Sequence, residues 1–134
     1  MKNALEPTEA QISRFMEAGG SPVSMLNLLR FREKAAYPDG RDADLPGKDA
    51  YFRYAVPMTQ LVLKAGGSLD FTGDMGPLLI GEIEDDWHMA AIMTYPSPRT
   101  LVEISLTPEF AEIAVHRKAG LEGQLLIPCR TSMP

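Results

Sequence analysis

The sequence predicts an α+β fold: a ferredoxin-like βαββαβ unit with an antiparallel sheet and one extra helix at the N-terminus. Three observations predict it. Periodic segments run in the order strand, long helix, strand or split strand, strand, paired short helices, strand. The first and third strands in that order, Val23–Phe31 and Met89–Tyr95, are the most apolar, as the two central positions of such a sheet require. Capping residues and glycines punctuate the helices between them. Residues 1–22 read as a helical extension, and 23–134 as one domain.

The extension opens with Thr8 and Gln11, spaced as a capping box. Ile12, Phe15 and Met16 then recur at helical spacing, and Gly19-Gly20 stops the helix. Val23–Phe31 has apolar residues on both faces, Val23, Met25, Leu29 and Phe31 on one and Leu26 and Leu28 on the other. Asn27 interrupts it, and Arg30 and Arg32 close it. An enclosed amide without a partner costs about 1–3 kcal/mol, so Asn27 must be satisfied by backbone, water or ligand.

From Arg32 to Pro46 the chain is charged and holds the turn signal Pro38-Asp39-Gly40, which reads as a surface loop. Helical periodicity returns at Tyr51, Tyr54, Ala55, Met58, Leu61, Val62 and Ala65 and ends at Gly66-Gly67, with Pro57 removing one amide donor. Ser68–Gly73 and Leu78–Ile83 read as strand pieces; Asp74-Met75-Gly76-Pro77 between them reads equally as a hairpin turn or a bend. Ser97-Pro98 and Thr107-Pro108 each set a hydroxyl cap before an N1 proline, so two helices start there. The second carries Phe110, Ile113, Ala114 and Arg117 on one face, with His116 beside them, and stops at Gly120. Gln124–Ile127 is the last strand. Helices cover one sheet face only, and the apolar residues left on the other call for a second copy of the chain, a homodimer.

Composition narrows the function. The 134 residues carry a net charge of −5, which argues against nucleic acid, since phosphate binding needs a basic face. The apolar runs are far shorter than the roughly 20 residues that span a bilayer, so no membrane role is expected and the cytoplasm is the default. A single cysteine, Cys129, excludes an internal disulfide and a cysteine-based metal cluster within one chain.

Met25-Leu26-Asn27-Leu28-Leu29-Arg30-Phe31-Arg32, Ala50-Tyr51 with Tyr54, Gly66-Gly67, Leu79-Ile80-Gly81, Tyr95-Pro96-Ser97, Pro108-Glu109-Phe110 and His116-Arg117-Lys118-Ala119-Gly120-Leu121 together resemble the family called domain of unknown function 1330. The likeness spans about Met25 to Ile127. It implies a dimeric α/β barrel, two ferredoxin-like units pressed sheet to sheet, as in small monooxygenases, muconolactone isomerases and haem-degrading enzymes, and it implies no established reaction. The family tends to follow its tryptophan with an acid, whereas Trp87 here is preceded by Asp86 and followed by His88.

The candidate site residues each have a plain reading beside a chemical one. His116 and Arg117 precede a helix C-terminus, where the dipole favours a cation. Chemically, His116 is a candidate acid or base and Arg117 a fork for a carboxylate or enolate, unless Glu103 or Glu109 pairs with it. Asn27 would orient a ligand carbonyl, or bond the adjacent strand or a partner subunit. Tyr51 and Tyr54, one turn apart, are core residues whose hydroxyls would converge on one cleft, Tyr54 as a proton carrier. Trp87 would wall a pocket or plug a barrel end. No metal is expected, because His88 and His116 lack ligand spacing. No cofactor is expected either, since a haem would find no basic cluster for its propionates.

These readings lead to two hypotheses. The first is a cofactor-independent enzyme of isomerase or monooxygenase type, acting on a small anionic or carbonyl-bearing molecule, with the loop Glu33–Pro46 as a lid. The second is a non-catalytic dimer that binds a small metabolite or serves assembly.

Overall fold

The computed structural model describes residues 4–19 and 22–131. Gly20, half of the expected first helix stop, lies outside them. The elements are α1 (Glu9–Ala18), β1 (Val23–Phe31), α2 (Gly47–Lys64), β2 (Ser68–Asp74), β3 (Met89–Tyr95), α3 (Pro98–Ser105), α4 (Pro108–Gly120) and β4 (Leu121–Cys129). The strands form one antiparallel sheet in the order β2-β3-β1-β4, which puts the two most apolar strands in the middle. This is the ferredoxin-like arrangement, with α1 added ahead of it.

The caps act as their chemistry dictates. Thr8 and Gln11 exchange side-chain and backbone bonds at the start of α1. The Ser97 and Thr107 hydroxyls accept the Thr100 and Phe110 amides ahead of α3 and α4. Alternation along β1 turns Val23, Met25, Leu29 and Phe31 toward the helices, where they pack with Tyr51, Tyr54, Met58 and Val62 of α2 and with Leu121. The start of α2 meets the end of α4 backbone to backbone. A Cβ added to Gly120 would fall 2.6 Å from the Tyr51 amide nitrogen, so only glycine permits this approach.

The other sheet face carries Leu26 and Leu28 with their cross-strand partners Ile92, Leu125 and Ile127. Phe71 of β2 joins them opposite Ile92 and is 53% exposed, and Ile127 is 38% exposed. At one end of this face Arg30 pairs with Glu122 at 3.1 Å and donates to the Asp86 carbonyl.

Two expectations change. Residues 75–88 form no strand: β2 ends at Asp74, and the next segment holds Gly76, Pro77 and the positive-φ Gly81, which break strand geometry. Leu79 and Ile80 consequently stand 95% and 87% exposed. The loop before α2 is tied down rather than a free lid. Ala35 N–H donates to the Leu45 carbonyl at 2.7 Å and Ala36 N–H to the Ala119 carbonyl at 2.9 Å. Ala35 and Tyr37 build a small second core with Ala50 and Ala119.

Candidate functional site

Because β4 follows α4 without a loop, the last helical turn lies directly over the first residues of the strand. Arg117, from that turn, donates through Nε and Nη2 to Gln124 Oε1 at 3.2 and 2.6 Å. Gln124 Nε2 in turn donates to Asn27 Oδ1 at 2.8 Å. In the β1–β4 register Asn27 faces Leu126, so Gln124, two residues before, is its diagonal neighbour on the helix-covered face. Asn27 Nδ2 donates to the Met25 carbonyl at 3.2 Å. All three side chains are partly buried. Arg117 engages Gln124 rather than Glu103 or Glu109.

Tyr51 and Tyr54 face the same interior from α2, and both are buried. Burial pushes both phenols up, Tyr54 to about 12, and the Arg117 guanidinium pulls each back in part. Both are neutral near pH 7 and available as donors. Among the described residues neither hydroxyl has a hydrogen-bond partner, and neither is a sealed, unsatisfied atom. Each therefore reaches a little accessible space. Tyr95, next to them, donates weakly to Met93 Sδ at 3.6 Å.

His116 belongs to another network. Arg53 Nη1 donates to the Tyr37 oxygen at 3.1 Å and to Asp42 Oδ2 at 2.8 Å. The Tyr37 hydroxyl also shares a hydrogen bond of 2.7 Å with His116 Nδ1. Arg41 lies over the Tyr37 ring at 4.6 Å. Burial, then the Arg41 and Arg53 charges, lower the His116 pKa and keep the ring neutral. The structure thus brings Asn27, Arg117, Tyr51 and Tyr54 toward one another and leaves His116 outside that group.

Trp87 is buried against a groove of about 370 Å3 lined also by Met75, Pro77, Leu78 and Ile83. None of Asn27, Tyr51, Tyr54 or Arg117 lines it. A second groove, of about 450 Å3, runs between α2 and α4 past Val56, Pro57, Leu61 and Ile113, and it too lacks those four residues. The His88 ring is structural: Nδ1 accepts the Phe31 amide at 2.9 Å and the ring stacks on Phe31. Among the described residues no group of three or more His, Cys, Asp or Glu side chains is placed to hold a metal ion. No described helix is long and apolar enough to cross a membrane.

Sequence reasoning missed Gln124 and Tyr37. Gln124 carried a signal, being a polar residue on the inward face of a strand otherwise rich in leucine. Tyr37 sat in a charged loop, where nothing in the pattern marks an aromatic as buried.

Comparison with known proteins gives two kinds of likeness. The chain is similar over its whole length to the RPA0582 protein of Rhodopseudomonas palustris. The crystal structure of the methylated protein has 32% identity and a TM-score of 0.89, covering 100% of this chain and 98% of that one. A second crystal structure, described as a protein of unknown function, has 30% identity and a TM-score of 0.87, covering 99% and 100%. The At3g17210 protein of Arabidopsis thaliana, at 16% identity and a TM-score of 0.57 over 84% of this chain and 97% of that one, shares the fold alone. No family model matches the chain, and no curated protein does.

Proposed function

The chain belongs to the family of the Rhodopseudomonas palustris RPA0582 protein, and we propose that it binds a small organic anion, carboxylate- or carbonyl-bearing, between its helices and the inner face of its sheet. Arg117 carries the reading. A guanidinium drawn partly out of water is costly unless an anion compensates it. Among the described residues no carboxylate forms a salt bridge with Arg117. Glu6, whose carboxyl feels the Arg117 charge, is itself paired with Lys118. Two neutral phenols beside the guanidinium supply further donors to an anionic oxygen.

A cofactor-independent reaction of isomerase or monooxygenase type is the second reading. It is favoured by the same pairing of a guanidinium with phenols, which suits an enolate. Tyr54 is then the proton carrier, since His116 is engaged with Tyr37. The apolar outer sheet face supports a homodimer, and the sequence motifs support membership of the domain of unknown function 1330 family.

A thermal-shift screen of small carboxylates, phenols and haem against the wild type and Arg117→Ala tests the reading. A carboxylate should stabilise the wild type, while the variant stays folded and loses the effect. Losing charge-assisted bonds of about 1.5–3 kcal/mol weakens binding roughly 10- to 100-fold. Equal stabilisation of both proteins would sink the proposal.

A further inference from the structure

We propose that Gln124 sets the polarity of this site, so that it accepts an oxyanion of the carboxylate or enolate class and rejects the matching neutral amide. The inference rests on the reading of Arg117 as an anion-binding group and adds a specificity-determining residue to it. Arginine has only donors, so Gln124 must turn Oε1 toward Arg117. Its Nε2 then faces β1, and Asn27 must answer with Oδ1. Asn27 Nδ2 is left to the Met25 carbonyl and, at 3.5 Å, the Ala91 carbonyl. Each orientation forces the next: Gln124 Oε1 takes two N–H donors and is filled, while Asn27 Oδ1 takes one and keeps a lone pair.

Among the described residues the network leaves open mainly donors: the Nη1 side of Arg117, the second Nε2 hydrogen of Gln124, and the hydroxyls of Tyr51 and Tyr54, against one remaining lone pair on Asn27 Oδ1. A carboxylate offers two acceptor oxygens and a charge to such a site. A primary amide offers one acceptor, no charge to meet the guanidinium, and a donor group for which the phenol oxygens and one lone pair of Asn27 Oδ1 are the acceptors at hand. Gln124 thus holds Arg117 in place without neutralising it, which a glutamate at the same position would not do.

The test measures binding by thermal shift and calorimetry with matched pairs, benzoate against benzamide and pyruvate against pyruvamide, on the wild type, Gln124→Glu, Gln124→Leu and Arg117→Ala. In the wild type at least one carboxylate should bind at least about tenfold more tightly than its amide. Gln124→Glu, which gives Arg117 an internal carboxylate, should lose at least about tenfold in carboxylate affinity. Gln124→Leu leaves the charge free but removes one donor and the anchor of Arg117, so it should lose less carboxylate affinity than Gln124→Glu. It should also discriminate less against the amide, because Asn27 Oδ1 is left without its Nε2 donor and can accept from the amide group.

Equal loss in Gln124→Glu and Gln124→Leu would mean a packing role and overturn the inference, as would wild-type binding of amide and carboxylate alike. If Gln124→Glu fails to fold, the wild-type pairs and Gln124→Leu decide it. Carboxylate binding abolished by Arg117→Ala but untouched by Gln124→Glu would leave the anion site standing and remove Gln124 from it. No carboxylate binding to the wild type would remove both.

Discussion

At His116 the folded chain prefers a neutral ring, since burial takes the imidazole partly out of water and the Arg41 and Arg53 guanidiniums stand nearby. Its pKa lies below the unfolded value, so between the two the unfolded chain binds more protons. That contribution is complete above about pH 6.5 and is lost as pH falls through the folded value. Urea melts of the wild type and His116→Gln at pH 7.5 and 5.0 should show the wild type losing more stability on acidification, and identical losses would contradict the assignment. His116 and Arg117 look like a catalytic pair in the sequence. Successive helical residues point about a quarter-turn apart, so one joins Tyr37 and the other Gln124. Asn27 was legible as a residue needing a partner because a lone amide stands out in an apolar strand. Its partner was not, because the diagonal to Gln124 depends on the β1–β4 register, which no local pattern encodes.

Among the elements, those delimited by their own chemistry were readable in advance. Hydroxyl caps and N1 prolines fix the starts of α3 and α4, and alternation fixes β1. What escaped was governed by contacts distant in sequence. Residues 78–83 have strand-like composition but, among the described residues, no strand beside them to pair with, and the loop before α2 is anchored through the end of α4. The crossing of α2 and α4 at Gly47 and Gly120 positions Tyr51 and Arg117 together. Gly120→Ala would drive a methyl into the Gly47 carbonyl and the Tyr51 backbone, and such overpacking costs about 1–3 kcal/mol. A chemical melt of this variant that matches the wild type would show that the crossing is looser than described.

For the molecule as a whole, one sheet face is covered by helices and the other presents Leu26, Leu28, Ile92, Leu125, Ile127 and Phe71. A second copy laid on that face would bury it. Sedimentation should accordingly find a dimer at micromolar concentration, and Ile127→Glu, which sets a charge at the edge of the face, should weaken it at least about tenfold while leaving the fold intact. A wild type that sediments as a monomer would count against the pairing, although the site on the opposite face would stand. At that site a small organic anion is proposed to meet the half-buried Arg117 guanidinium. The most direct measurement follows the arginine Nε–Hε resonances by two-dimensional NMR during titration with a carboxylate that stabilises the protein. The Arg117 signal should move saturably while those of Arg14 and Arg99 stay fixed. A titration in which Arg117 stays still, or in which exposed arginines move with it in a non-saturating way, would contradict the account.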